Sequence, residues 1–297
     1  VNARELAHGI SKLLSHPLKE MNEIGEMLKK EAQKILPSLL KFADKNNYFI
    51  QTNNAMQQFA ELINIPRKQE EEQVKLVQFP DNADDILVSS ILYKYKSESF
   101  DKIAEKVRIM SREEKEAIVD SYLGKMKTFD SPMRELEHIN FTFDLIIDYG
   151  AFRDLQRHRI CTQTNQLFSS DLGYDIPKDI INSGKLCEEK FIAAMERAKQ
   201  VYEKVRVKYP VQAQYILPIG FRKRYLLTMN LREIYHLIKI RTTPLAHESY
   251  RRVAYQIYEI MKSKYHLLSK YIVCNYSEEE LGRLKSEEKT ELKRGLI

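Results

Sequence analysis

Apolar residues recur at helical spacing near the start of the chain. One such run, between two prolines, consists of Leu18, Met21, Ile24, Leu28, Ala32 and Ile35. This spacing predicts an amphipathic helix, and a second helical stretch is predicted over residues 54–63. The charged run 67–73 (RKQEEEQ) that follows is typical of a solvated linker. We therefore interpret residues 1–66 as a helical N-terminal extension, 67–73 as a charged linker and 74–297 as the main domain.

The main domain mixes strand and helix patterns. Its clearest strand covers residues 139–148, where apolar and polar residues alternate, and further strands are predicted at 74–79 and 221–229. Residues 168–183 have the composition of a loop, with Gly173, Pro177 and Gly184 among the residues that mark turns. The charged tail from residue 277 has the composition of a frayed helix. Helices are predicted after Pro80 through Tyr93, behind a capping box at Ser111, and over 151–159, 188–208, 231–240 and 245–265. The mixture predicts an α+β fold.

Three consecutive donors, Arg157-His158-Arg159, are predicted at the end of a strand–turn–helix segment. Adjacent residues of a helix are about 100° apart, so these side chains fan out in different directions. The arginine fork binds phosphate with two hydrogen bonds and stays charged at any working pH. The motif therefore indicates an anion site, and a plain basic surface run is the alternative interpretation.

A second motif runs from Asn230 to His236 and is followed by Arg241. Asn230 lies at a predicted strand-to-helix junction, where asparagine is a favoured N-cap. Helix N-termini bind anions through their free N–H groups. Arg232 and His236 are four residues apart, so they share one helix face. The two motifs together supply guanidinium, imidazole and amide donors suited to an extended anionic cofactor, and Asn230 as a cap alone is the alternative.

The two motifs resemble the signature segments of the flavin-dependent thymidylate synthases, the ThyX family. That family carries R-H-R-x-x-S-x-N-x-x-S-x-R-Y and, later, an N-x-R-x-x-x-H run. This chain has RHRICTQTNQLFSS and NLREIYHLIKIRTTPLAHESYR at those places. The resemblance covers roughly residues 73–265. It implies a ThyX-like antiparallel sheet flanked by helices.

The resemblance also implies a reaction and a set of site residues. The cofactor is FAD, and the implied contacts are Arg157, His158, Arg159, Asn230, Arg232 and His236. Arg241 is the expected catalytic residue, at the uracil of dUMP, where a cation favours ionisation of N3. The implied reaction methylates dUMP to dTMP with NADPH and methylenetetrahydrofolate, and the flavin carries out the chemistry while the protein positions the reactants. The family forms homotetramers, so we expect a homo-oligomer.

The nucleotide half of the family's site is altered in this chain. Leu167 stands where the family has its second motif serine, and Ser169 and Ser170 stand where it has arginine and tyrosine. Gln214 replaces a nucleotide-binding arginine, and Asp154 replaces a glutamine. Two lost phosphate ion pairs of about 1.5–3 kcal/mol each predict dUMP affinity at least about a hundredfold weaker. A non-catalytic paralogue, or one half of a tandem protein, is therefore the alternative to an active enzyme.

The composition limits which classes of ligand the protein is expected to bind and in which cellular compartment it is expected to lie. The net charge of +6 favours anionic ligands, but the basic residues are dispersed among carboxylates, so nucleic-acid binding is the least favoured hypothesis. Cys161, Cys187 and Cys274 lie far apart, which predicts free thiols in a reducing compartment, the cytoplasm. We expect no membrane span, no signal peptide and no metal site. Val1 in place of methionine is expected of an excised part of a longer chain, or of a processed or tagged end.

Overall fold

The computed structural model describes residues 2–65, 72–276, 288 and 290–294. Most of the predicted linker, at 67–71, lies outside the described residues. The charged tail is described only at 288 and 290–294, which are helical. No helix in the described ranges has the length and apolar character needed to cross a bilayer.

Two compact units make up the chain. The first comprises Val1–Glu70 and Glu203–Tyr215, and the second comprises Glu71–Tyr202 and Ile216–Ile297. The domain boundaries expected from the sequence stay a prediction.

Helices and strands follow one another in a mixed order. The helices are α1 (Ala3–Leu14), α2 (Lys19–Gln33), α3 (Asn47–Leu62), α4 (Ala83–Tyr93), α5 (Phe100–Arg108), α6 (Arg112–Leu123), α7 (Tyr149–Leu155), α8 (Lys178–Asn182), α9 (Lys185–Arg206), α10 (Pro210–Ala213), α11 (Leu231–Arg241), α12 (Glu248–Lys264) and α13 (His266–Ser269). The strands are β1 (Val74–Gln78), β2 (Asn140–Asp148), β3 (Thr162–Asn165) and β4 (Arg222–Asn230). Short 3₁₀ segments occupy Arg134–His138 and Gln214–Ile216.

The first unit contains a small core, in which Ile10 and Leu14 of α1 are buried together with Leu40 and Ala43 from the segment after α2. A Cβ at Gly25 would lie 2.9 Å from the Leu14 side chain, so glycine permits the close approach of the two helices. The Asn22 side chain donates to the carbonyl groups of Leu13, Leu14 and His16. Leu13 and Leu14 belong to the last turn of α1, whose carbonyl groups lack the usual partner four residues further on. The predicted helix between the prolines is confirmed as α2.

The second unit is built on an antiparallel sheet with the strand order β1-β2-β4-β3 among the described residues. The strand predicted from the alternation of residue types over 139–148 is confirmed as β2, in which Phe141, Phe143 and Leu145 are fully buried. Phe143 lies opposite Leu76 of β1 and Leu227 of β4. Helices α4, α7, α11 and α12 contribute to the core on this face. The predicted α+β class with an antiparallel sheet is therefore confirmed.

The helix that was predicted to carry Arg157-His158-Arg159 ends earlier than expected. Helix α7 stops at Leu155, and the motif forms a turn between α7 and β3. The N–H of His158 donates to the carbonyl of Leu155, three residues back, which is the tight closure typical of a helix end. The prediction failed because β3 (TQTN) carries no apolar alternation, so nothing in the pattern announced the strand that follows.

Predictions for a helix cap, two glycine turns and one loop can also be compared with the structure. The capping box at Ser111 is confirmed, with reciprocal bonds between Ser111 and Glu114. Gly173 and Gly184 adopt positive φ of 69° and 99°, which confirms the turns expected there. The loop predicted over 168–183 is wrong at its end, where α8 forms, and α5 was not predicted.

Candidate functional site

The start of α11 is fixed by Asn230, as predicted. Its side-chain oxygen accepts a hydrogen bond from the Glu233 backbone N–H at 2.8 Å, and the Leu231 N–H donates to the carbonyl of Ile139, the residue just before β2. The cap satisfies one of the free N–H groups at the helix start. The sheet therefore sets where the second motif begins, and the Glu233 side chain is carried into the interior, where the residue is only 6% exposed.

The turn of the first motif brings His158 inside the protein. His158 is 5% exposed, whereas Arg157 and Arg159 on either side of it are exposed. The Gln163 side chain, from β3, donates to the His158 carbonyl at 3.2 Å. The short polar strand that sequence analysis missed therefore helps to hold this turn against the sheet.

His158 joins the two motifs. Its Nδ1 lies 2.6 Å from Oε1 of Glu233, and its Nε2 accepts a hydrogen bond from Nε of Arg241 at 3.0 Å. Arginine has donors only, so Nε2 must be the unprotonated nitrogen and Nδ1 must donate to the carboxylate. The result is a chain of hydrogen bonds from a buried carboxylate through a neutral imidazole to a guanidinium.

Two further contacts hold Arg241. Its Nη2 donates to the carbonyl of Asp154 at 2.9 Å, and the guanidinium carbon lies 5.1 Å from the centre of the Tyr250 ring. A cation over an aromatic face is stabilised electrostatically. The residue expected to be catalytic is thus half-buried and restrained on three sides, by His158, Asp154 and Tyr250.

Three predicted site residues stay at the surface near this cluster. The His236 ring lies 5.9 Å from that of His158, centre to centre, and is exposed. The side chain of Arg157 is 74% exposed and lies 3.5 Å from the Asp154 carboxylate. Arg159 makes no hydrogen bond or ion pair with any residue that the structure describes. The structure therefore places the exposed guanidinium groups of Arg157 and Arg159 beside a buried, ordered network.

Arg232 is engaged elsewhere. Its Nε donates to the Pro132 carbonyl at 2.7 Å, and its Nη1 pairs with Glu137 at 3.0 Å. Arg134 also binds Glu137, and its hydrogen bond is the main cause of the lowered pKa of that carboxyl, with a smaller contribution from Arg232. Arg232 and His236 start from one helix, but the structure does not bring Arg232 into the network around His158.

Sequence reasoning did not identify Glu233 or Tyr250. Glu233 is the third residue after the Asn230 cap, the position at which a glutamate ordinarily returns to the cap backbone. Its side chain instead binds His158, 75 positions away in the chain. The sequence motif indicates a bond from Glu233 back to the Asn230 backbone. The bond to His158 can be recognised only from the fold.

The residues that depart from the family pattern occupy different environments. Leu167 is 60% exposed, and Ser170 is buried. Gln214 belongs to the first compact unit, where its side chain donates to the carbonyl of Val211.

All three cysteines are free, which confirms that prediction. Burial, followed by the charge of Glu233, raises the pKa of Cys161 to about 12. At pH 8 its thiolate fraction is then on the order of a thousandfold below that of a free cysteine, whose pKa is about 8.5. We expect iodoacetamide at pH 8 to leave Cys161 largely unmodified in the folded protein and to label it rapidly in urea, as measured by peptide mass spectrometry. Rapid labelling of folded Cys161 would contradict the raised pKa.

The architecture and the site define an α+β protein with an arginine–histidine cluster beside an antiparallel sheet. Residues 75–265 match the family described as thymidylate synthase complementing protein. The chain belongs to this family. Its fold is similar to the crystal structure of the UMP/dUMP methylase PolB from Streptomyces cacaoi bound with 5-Br dUMP, with a TM-score of 0.53 and 16% identity, over 67% of this chain and 93% of that one.

Relatives show how far the chain has diverged. It is 33% identical over 96% of its length to a UPF0159 protein of Chlamydia muridarum, and 28% identical over its whole length to UPF0159 protein Ta1429 of Thermoplasma acidophilum. It spans only 56% and 60% of those two proteins, respectively. A flavin-dependent thymidylate synthase of Geobacter sulfurreducens is 27% identical over 57% of this chain and 72% of that protein. The chain is therefore a diverged ThyX-like protein.

Proposed function

We propose that this chain binds FAD on the surface where its two motifs meet. The supporting observation is the hydrogen bond from Arg241 to His158, which joins residues 83 positions apart and links the motifs into one cluster. Arg157 and Arg159 flank His158 and are exposed. Membership of a family whose relatives include flavin-dependent thymidylate synthases favours a flavin as the ligand.

The donors in this cluster suit a ligand that carries phosphate groups. Arg159 has no partner among the described residues, and Arg157 has a long contact of 3.5 Å to Asp154. Guanidinium groups form paired hydrogen bonds with phosphate, so both side chains are available to a pyrophosphate. Arg232 fits less well, because Pro132 and Glu137 already engage two of its nitrogens.

FAD, when bound, supplies the transfer chemistry that methylates a pyrimidine nucleotide such as dUMP, with NADPH and methylenetetrahydrofolate as co-substrates. The chain itself contributes charge and orientation. His158 and Asp154 engage the Nε side of Arg241 and leave the opposite edge of its guanidinium for a pyrimidine ring. A positive charge there stabilises the anionic form of the ring. We propose a cytoplasmic homo-oligomer, up to a tetramer, on the same family grounds.

Titration with FAD tests the first part of this proposal. Purified protein is expected to change the absorption and fluorescence of added FAD in a saturable manner. AMP is a suitable competitor, because it tests whether the phosphate and adenine portions contribute. Protein that is folded by circular dichroism and takes up no FAD would contradict flavin binding.

A paralogue without its own turnover, or one half of a tandem protein, is the second candidate. It is favoured by the replacements Leu167, Ser169 and Gln214, and by relatives that are nearly twice as long as this chain. Release of tritium from C5-labelled dUMP, in the presence of FAD, NADPH and methylenetetrahydrofolate, separates the two candidates. Release above the level of an Arg241→Ala variant supports the enzyme, and bound FAD without release supports the paralogue.

A further inference from the structure

We propose that Glu233 is a positioning residue, which acts through His158 to hold Arg241 in one orientation for its ligand. The part played by that ligand rests on the function proposed above, whereas the network itself does not. Glu233 is 6% exposed, and its Oε1 lies 2.6 Å from Nδ1 of His158. A hydrogen bond to a carboxylate is stronger than one between neutral groups, so this contact decides which ring nitrogen carries the proton.

The tautomer of His158 determines whether Arg241 can stay where it is. With the proton on Nδ1, Nε2 has a free lone pair and accepts from Nε of Arg241 at 3.0 Å. With the proton on Nε2, two donors would face each other at that distance and the bond would be lost. Glu233 thus influences the position of Arg241 through His158, without a direct contact between the two side chains.

This arrangement leaves one side of Arg241 for a ligand. The guanidinium is planar, and its Nε–H and one Nη2–H are used by His158 and the Asp154 carbonyl. Nη1 makes no hydrogen bond to any of the described residues. The edge formed by Nη1 and Nη2 therefore offers two parallel donors, the geometry that matches a carboxylate, a phosphate or a deprotonated imide. The cation–π contact with the Tyr250 ring further restrains the guanidinium.

Two substitutions of Glu233 keep a side chain of similar size. They test separately whether its charge or its ability to accept a hydrogen bond matters. Glu233→Gln keeps an oxygen that can accept from Nδ1 of His158, and so preserves the tautomer. Glu233→Leu keeps the volume and removes the acceptor, so both tautomers become populated. The backbone N–H of residue 233 still reaches the Asn230 cap in either variant, because that bond does not use the side chain.

The decisive measurement is nitrogen NMR on ligand-free protein labelled in histidine and arginine. In the wild type and in Glu233→Gln, we expect Nδ1 of His158 to be protonated, Nε2 to be unprotonated, and a scalar coupling to cross the bond from Arg241 Nε. In Glu233→Leu we expect a mixed tautomer and Arg241 Nε–H exchange with water at least about tenfold faster, the factor that corresponds to 1.4 kcal/mol. Protonated Nε2 in the wild type, or an unchanged spectrum in Glu233→Leu, would overturn the proposal.

Binding of dUMP completes the test. Its affinity is expected to fall by about tenfold or more in Glu233→Leu and by no more than about threefold in Glu233→Gln, because only the former frees Arg241. If wild-type protein binds neither FAD nor dUMP, the proposed function fails, and the NMR result still decides the role of Glu233. If Glu233→Leu does not fold, the spectra of the wild type and Glu233→Gln decide, with a protonated Nε2 in either counting against the proposal.

Discussion

Replacing both Arg157 and Arg159 with alanine is expected to weaken FAD binding by at least about a hundredfold, since each charged hydrogen bond to phosphate contributes about 1.5–3 kcal/mol. Both side chains are exposed, and neither is engaged in the network around His158. The substitutions therefore remove few stabilising contacts from the folded protein, and its free energy of unfolding should change by less than about 0.5 kcal/mol. Fluorescence titration of FAD measures the affinity, and urea unfolding measures the stability.

Arg153 provides a matched control for the double substitution. It is an exposed arginine on α7, only four residues from Arg157. Arg153→Ala removes an exposed positive charge close by in the chain and should leave FAD affinity within about threefold of the wild type, because a single exposed charge contributes little. Equal losses in the control and in the double variant would indicate a general charge effect. Unchanged affinity in the double variant would contradict a phosphate site at this motif.

Replacing Phe143 with alanine is expected to reduce the free energy of unfolding of the second unit by about 3–5 kcal/mol. Phe143 is fully buried at the middle of β2, and both strands beside it place an apolar residue opposite. The loss combines the transfer free energy of the ring with the cavity that remains after partial relaxation. The chain contains no tryptophan, so urea unfolding is best followed by circular dichroism.

Phe129→Ala is the corresponding control, because Phe129 is 96% exposed. It removes the same ring and should change stability by less than about 0.5 kcal/mol. Thr228→Ala is a further comparison on β4, at a side chain that bonds to Thr142 instead of packing in the core. A loss below 1 kcal/mol at Phe143 would mean that β2 is not the centre of the core.

Elements with a strong apolar pattern were predictable, and polar elements were not. Strand β2 carries an alternation of apolar and polar residues, and helix α11 carries apolar residues at helical spacing, so the positions of both elements could be predicted from the sequence. Strand β3 is polar and pairs only with β4 in the described part of the chain, so no periodicity reveals it. The end of α7 was missed for the same reason, because it is set by the strand that follows.

Some features of the site could likewise be predicted from the sequence, and others could not. The sequence alone determined the two motifs, their family and the N-cap role of Asn230, because these depend on residue identity at short spacing. Only the tertiary structure decided which motif residues meet. In it, His158 bonds to Glu233 and Arg241, and Arg232 pairs with Glu137. Arg157 and Arg159 are exposed to solvent. The physical reason is that a hydrogen bond needs atoms within about 3 Å, and the packing of helices on the sheet, not the spacing along the chain, brings such distant residues together.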